Sequence, residues 1–312
     1  MSRTSLKECD GIRLKNFIIA GAKWVYHHKD HLDEINYFPV PDADTGANMY
    51  LTFTSILNEI RKVENPYLTS SIARAAALGG LMGSKGNSGL ILSQFFRGFS
   101  ESIGDKEVLD AEDIANAFYR AAQTAREGIL SPKDGTILSV AYDGANAALA
   151  SISKSEDLIE VMTSFYDGAC ESLEKTKTLL PELRKAGVVD AGGKGLVLFF
   201  EGMLRLATAR SVKDVPVIDS QEIPDKAKAG KTITHQFCTT FIIQKNLDID
   251  DNHIKKIIKS YGDSVIVDKG IDNFAKIYIH TNNPDQVLEK ASALGKITNV
   301  MIDDMKKQIV NL

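Results

Sequence analysis

Asp42 and Asp44 stand two positions apart in the segment Asn-Tyr-Phe-Pro-Val-Pro-Asp-Ala-Asp-Thr-Gly-Ala-Asn-Met, residues 36–49. Pro39 and Pro41 push Phe38 and Val40 toward extended backbone. In an extended stretch residues i and i+2 point the same way, so this spacing offers two carboxylates to one hard cation. Magnesium commonly takes one or two carboxylates together with nucleotide phosphates and waters. Thr45-Gly46-Ala47-Asn48 then opens a helix whose free backbone N–H groups would face the same phosphates. An exposed turn closed by an aspartate N-cap would satisfy the same letters. Asp-x-Asp alone does not separate the two readings.

A second segment, residues 79–89, reads Gly-Gly-Leu-Met-Gly-Ser-Lys-Gly-Asn-Ser-Gly. Glycines let successive N–H groups turn toward an anion, and Ser84 and Ser88 add hydroxyl donors. The segment is not a Walker A sequence and follows a helical rather than a strand pattern, so P-loop and dinucleotide-fold readings fail on context. A flexible interhelical loop with Gly83 as a helix cap is the plain alternative. Ser-Pro-Lys-Asp-Gly-Thr at 131–136 and Ala-Gly-Val-Val-Asp-Ala-Gly-Gly-Lys-Gly at 186–195 are two further candidates for a nucleotide-lining loop or a simple helix cap.

The elements that must position these residues are helical almost throughout from about residue 11 to 208. Leu14, Phe17, Ile18, Gly21 and Val25 share one face of a first helix. Further helices are expected over 46–63, 70–82 and 89–103, then after Asp110 with Asp113, and over 135–152, 155–178 and 192–209. That is a set of eight, which predicts an all-α bundle or helical barrel. Residues 210–234, with Pro216, Pro224 and Gly230, lose the period and read as a linker. After it the order β-α-β-β-α-β predicts a small α+β domain of ferredoxin-like topology. The expected division is a helical domain over 8–209, a linker over 210–234 and an α+β domain over 235–312.

Composition sets bounds on all of this. The net charge of −4 gives no general attraction to nucleic acid or anionic membrane, so a phosphate site must be built locally. Cys9, Cys170 and Cys238 are too few and too widely spaced for a disulfide framework, which fits a reducing compartment. No apolar run is long enough to span a bilayer, and the first residues lack a signal-peptide pattern. The expected location is the cytoplasm.

Four of these stretches together resemble a known family. Pro-Val-Pro-Asp-Ala-Asp-Thr-Gly-Ala-Asn-Met, Gly-Asn-Ser-Gly-Leu-Ile-Leu-Ser-Gln, Asp-Gly-Thr-Ile-Leu and Ala-Gly-Val-Val-Asp-Ala-Gly-Gly-Lys-Gly-Leu occur in this order. They look like the ATP-binding domain of bacterial fatty acid kinase, which is similar to the L subunit of dihydroxyacetone kinase. The resemblance implies an eight-helix barrel with Mg-ATP at one end, over about residues 8–208. It implies Asp42 and Asp44 as magnesium ligands, with Asn36 the candidate third. The related pattern carries an aspartate where Tyr37 stands here. Ala43 replaces a usual glycine, which the backbone tolerates unless φ is positive there. Thr45, Gly46 and Asn48 would lie by the phosphates, and Asn87, Ser88 and Gly89 would cradle them. Thr136, Asp190 and Gly192 would border the nucleotide.

The C-terminal part looks like the fatty acid kinase middle domain, in which one cysteine and two histidines form a zinc site. Cys238 and His280 match that pattern, while Tyr278 replaces the other histidine and Thr240 a glutamate. Zinc usually needs three protein ligands, and a buried cysteine with a structural histidine satisfies the same two positions. The family carries a further C-terminal domain, and this chain ends at Leu312.

The resemblance implies phosphoryl transfer from ATP to a fatty-acid carboxylate held by a separate carrier protein, giving an acyl phosphate. An ionised carboxylate needs no general base. The alternatives are a dihydroxyacetone (glycerone) kinase subunit, or a non-catalytic nucleotide-binding regulator whose α+β domain serves homodimer formation or regulation.

Overall fold

The computed structural model describes residues 5–39, 42–129, 131–208, 235–246, 249–269 and 273–304. Val40 and Pro41, and the expected linker over 210–234, lie outside the described residues. The described residues fall into two compact units. The first holds residues up to Arg126 and from Lys133 onward in the helical part; the second holds the α+β part together with the short segment around 127–132.

The first unit carries ten α-helices among its described residues: α1 Gly11–His27, α2 Lys29–Glu34, α3 Thr45–Arg61, α4 Thr69–Gly83, α5 Gly86–Ile103, α6 Ala111–Gly128, α7 Ile137–Ser151, α8 Leu158–Leu179, α9 Pro181–Ala186 and α10 Ala191–Ala207. Eight are long, as the apolar periodicity predicts. The two short ones, α2 and α9, have six residues each and are too brief to show a period. Side-chain caps set several starts. Asp10 accepts from the Arg13 N–H at α1, and Asp157 from Ile159 at α8. At α6, Asp110 and Asp113 bond each other's backbone N–H reciprocally.

The long helices surround an aromatic core. Phe165 of α8 stacks on Phe200 of α10 at 3.7 Å between ring centroids, and Phe118 of α6 meets both rings edge-on. Phe53 of α3 stacks on Phe199 of α10, and Phe99 of α5 on Phe118. One rigid apolar centre thus ties together helices far apart in sequence.

The second unit runs β1 Phe237–Lys245, α11 Asp251–Ile258, β2 Asp263–Lys269, β3 Phe274–Thr281, α12 Pro284–Ser292 and β4 Gly295–Asp304. The sheet order is β2-β3-β1-β4, with every neighbouring pair antiparallel, which is the split βαβ topology expected. Alternation decides the faces. Phe241, Ile243, Ala275, Ile277 and Ile279 join Ile254, Ile258, Val287 and Ala291 of the two helices in one core. Cys238, Thr240, Tyr278 and His280 therefore share the opposite face.

Candidate metal and nucleotide site

The two aspartates lie between α2 and α3, and they converge for a different reason from the one alternation gives. Ala43 has φ of 51°, in the left-handed region, so the chain turns between Asp42 and Asp44 rather than running straight. This is a correction: the pairing comes from a left-handed turn and not from an extended strand. The two carboxyl groups lie close enough to affect each other's ionisation. Burial pushes the Asp42 carboxyl well above the usual carboxylate range, and the charge of Asp44 adds to it. Burial also raises Asp44, against a hydrogen bond from Asn48. Asn36 is buried and its Nδ2 donates to Asp42 Oδ1 at 2.6 Å.

These residues fit a hard divalent cation. Burial raises the cost of ionising both carboxyls and the charge of Asp44 adds to that of Asp42, and a dication would lower the cost for both. Among the described residues no group of three or more His, Cys, Asp or Glu is arranged to hold a metal. A magnesium ion here would therefore use the Asp42–Asp44 pair, the carboxamide oxygen of Asn36 as the candidate third donor, and otherwise phosphate and water.

The start of α3 is not a free anion site. Asp33 of α2 accepts from the Gly46 N–H at 2.6 Å and from the Ala47 N–H at 3.2 Å through one oxygen. The expectation that Gly46 offers its N–H to phosphate is corrected accordingly. A Cβ on Gly46 would lie 2.0 Å from the Lys29 carbonyl oxygen, so glycine is there to let α2 approach. Thr45 is buried as the first residue of α3. Burial pushes the Asp33 carboxyl up to about 6 despite its two N–H donors.

The glycine-rich segment is mostly helix, which corrects the loop reading. α4 runs through Gly83 and α5 starts at Gly86, leaving only Ser84 and Lys85 between them. Its glycines clear the way for α3. A Cβ would lie 2.0 Å from Ser55 Cβ at Gly83, 2.3 Å from Asn48 Nδ2 at Gly86 and 2.3 Å from Thr52 Oγ1 at Gly89. Asn48, Thr52 and Ser55 are one helical stripe at i, i+4 and i+7. The Lys85 N–H donates to Thr52 Oγ1 at 3.2 Å, and that hydroxyl donates to the Asn48 carbonyl oxygen at 2.8 Å. Gly89 is thus a packing residue, and its N–H is bonded to the Lys85 carbonyl oxygen. Asn87 and Ser88 occupy the first turn of α5, where the N-cap residue Lys85 makes no side-chain cap bond. Their amides are first-turn donors with no carbonyl of their own helix to bond.

Asp190 and Thr136 bind the protein itself. Asp190 Oδ2 accepts from the N–H of Ile137, first residue of α7, at 2.8 Å, and from the N–H of Gly193 in α10 at 2.7 Å. Its own N–H donates to Thr176 Oγ1 of α8 at 2.9 Å. The Thr136 hydroxyl donates to the Lys133 carbonyl oxygen and accepts from the Leu138 N–H. Both residues, expected to border the nucleotide, are taken up by bonds within the protein. A Cβ on Gly192 would lie 3.3 Å from Ser88 Oγ and 3.4 Å from Ile137 Cβ. The starts of α5, α7 and α10 therefore meet at one place. The contact of Asn48 with Gly86 brings the start of α3 to the same end. Of these helix starts, α3, α7 and α10 have N–H groups bonded to Asp33 or Asp190, which leaves the first turn of α5 as the one suited to a phosphate group.

Asp33 and the Thr52–Ser55 stripe were missed by sequence reasoning. A hydroxyl-bearing stripe at helical spacing on α3 was the available signal for the second. Nothing local signals the first.

In the second unit Cys238 and His280 are directly opposite across β1 and β3. Among the described residues no third ligand joins them in a metal-holding group. His280 Nε2 is 2.6 Å from the Tyr278 hydroxyl, and its Nδ1 lies 3.6 Å from Asp263, which also approaches His235. Tyr278 thus occupies the ring nitrogen that a metal would use. Burial lowers the His280 pKa, partly countered by Asp263. The set does not fit zinc.

Two domain families match the chain. The DAK2 domain covers residues 39–205, and the FakA-like middle domain of fatty acid kinase covers residues 234–312. Protein YloV of Bacillus subtilis is 34% identical over 316 residues, covering 97% of this chain and 57% of YloV. An uncharacterised protein of Staphylococcus aureus is 33% identical over 313 residues, covering 97% of this chain and 57% of that protein. The chain therefore spans little more than half the length of the curated relatives it matches. A solved structure, the dihydroxyacetone kinase from C. freundii in complex with AMP-PNP and Mg2+, is similar with a TM-score of 0.47 and 15% identity. That similarity covers 66% of this chain and 35% of the kinase.

Proposed function

Because this chain belongs to the DAK2 domain family, we propose that it is a kinase-type subunit that binds Mg-ATP at the convergent helix starts and transfers the γ-phosphoryl group to a fatty-acid carboxylate. The observation that carries this reading is the approach of the Asp42–Asp44 pair, through Asn48 and Gly86, to the first turn of α5. A paired carboxylate and a helix N-terminus are the two halves of a magnesium–polyphosphate site.

The residues divide the work by charge. Asp42 and Asp44, with Asn36 bonded to Asp42, would hold magnesium, which when bound neutralises charge on the β- and γ-phosphates. The amides of Asn87 and Ser88 would hold phosphate oxygens. Asp190 ties the starts of α7 and α10 to α8, and Thr136 caps α7, so both would support the site from within the protein. The acceptor carboxylate oxygen forms the new bond to the γ-phosphorus as the bond to the β-bridging oxygen breaks, giving ADP and an acyl phosphate. No proton moves, so no general base is required. Positioning and charge neutralisation supply the catalysis.

The middle-domain match supports that acceptor, and a separate carrier protein would present it. The cytoplasm is the compartment we propose. None of Cys9, Cys170 and Cys238 is in a disulfide, and among the described residues no helix is long and apolar enough to cross a membrane.

The test is nucleotide titration with and without magnesium on the wild type and on Asp42→Ala with Asp44→Ala. The double variant is expected to lose magnesium-dependent nucleotide binding. Retained affinity that still responds to magnesium would show the site assignment to be wrong. A nucleotide-binding regulator is the second reading, favoured by the departures at Tyr278 and Thr240 from the family pattern. Tight ADP binding with no phosphate passed to any fatty acid, carrier present, would select it.

A further inference from the structure

Asp44 is the N-cap residue of α3, yet its side chain makes no cap bond. An aspartate in that position ordinarily turns its carboxylate back onto the N–H groups of the second or third helical residue. In α3 those residues are Gly46 and Ala47, and both N–H groups are already donated to Asp33. Asp33 comes from α2, on the other side of the loop that carries the site.

We infer that Asp33 is a positioning residue for the metal site: by capping α3 in place of Asp44, it leaves the Asp44 carboxylate to pair with Asp42. The inference rests on the proposed role of Asp42 and Asp44 as metal ligands. Three further observations support it. The Asp44 carboxyl interacts instead with the side chains of Asp42 and Asn48, both of which favour its charged form. A Cβ on Gly46 would lie 2.9 Å from Asp33 Oδ1 and 2.0 Å from the Lys29 carbonyl oxygen, so glycine is what admits α2 to this distance. A left-handed turn at Ala43 lies between Asp42 and Asp44, so the chain does not run straight into the start of α3. Without Asp33 the two amides would be left without an acceptor, and the nearest carboxylate able to take them is Asp44 itself.

The experiment measures the magnesium concentration that half-maximally promotes ADP binding, alongside the thermal midpoint, for wild type, Asp33→Ala, Asp33→Ser and Asp33→Asn. Asp33→Ala should raise the magnesium requirement at least tenfold, while ADP affinity at saturating magnesium returns to within about threefold of wild type. Asp33→Asn keeps an oxygen acceptor in place and should stay within threefold throughout. Asp33→Ser is too short to reach both amides and should behave like the alanine variant; it decides the question if Asp33→Ala does not fold. A lowered thermal midpoint with an unchanged magnesium requirement in the folded variants would overturn the inference and leave the metal assignment standing. Wild-type ADP binding indifferent to magnesium, or to loss of Asp42 and Asp44, would overturn both.

Discussion

The carboxamide of Asn48 fills the space that a side chain on Gly86 would need: a Cβ there would lie 2.3 Å from Asn48 Nδ2. The Asn48 side chain also favours the charged form of Asp44, so one amide adjoins both the acidic turn and the start of α5. The two halves of the proposed site are therefore mechanically one.

Gly86→Ala tests that connection. Gly86 has φ of +58°, so alanine adds backbone strain as well as the clash, together about 1–2 kcal/mol. The Asn48 amide must swing away from Asp44. Magnesium-dependent ADP affinity should fall at least tenfold, measured by calorimetric titration, with a modest drop in thermal midpoint.

Ala43→Gly should do the opposite for stability. Ala43 sits at φ of 51°, where a Cβ costs roughly 1–2 kcal/mol and glycine pays only its extra chain entropy. The variant is expected to gain about 1 kcal/mol, read as a thermal midpoint raised by about 2–4 °C, with ADP binding retained.

Asp190 gives the protein a pH-dependent weakness. Burial raises its carboxyl from 3.8 to about 6 in the folded state, so the folded protein holds that proton more tightly than the unfolded chain does. The stability it contributes is fully present below 3.8 and is lost as pH rises through about 6, a change of roughly 3 kcal/mol. Asp190→Asn retains an oxygen for the Ile137 and Gly193 N–H groups and should flatten the denaturation profile between pH 4 and about pH 7. Asp190→Ala leaves two buried donors without an acceptor and should cost about 2–4 kcal/mol at any pH. Equal pH slopes in wild type and Asp190→Asn would contradict this account.

The second unit should not depend on zinc. A zinc-selective chelator is expected to leave the thermal transition of the protein unchanged, because Tyr278 already engages His280 Nε2. Tyr278→His removes that hydroxyl and adds an imidazole on the same sheet face as Cys238 and His280. Metal analysis of this variant should find zinc approaching one equivalent, against little in the wild type.

Much of the architecture was legible because it depends on local pattern. Apolar spacing and caps such as Asp110 with Asp113 mark the long helices, and the change of period after residue 234 marks the βαββαβ unit. Helix α2, with six residues and one buried side chain, left no such trace. The acidic pair was legible as a candidate, but its geometry was not, since the left-handed turn at Ala43 is contrary to that residue's preference and is held by its surroundings.

The sequence by itself determined which residue types stand at the site and in what order: two carboxylates, glycines at close intervals and helix starts near each. The tertiary structure decided which of those groups remain available for a ligand. A donor bonded inside the protein is not available to phosphate, and the bonding partner is chosen by helices that meet in space. Asp33 takes the Gly46 N–H from 13 residues away, and Asp190 takes the Ile137 N–H from 53. No local pattern carries that information, because the acceptors arrive only when the barrel closes around its aromatic core.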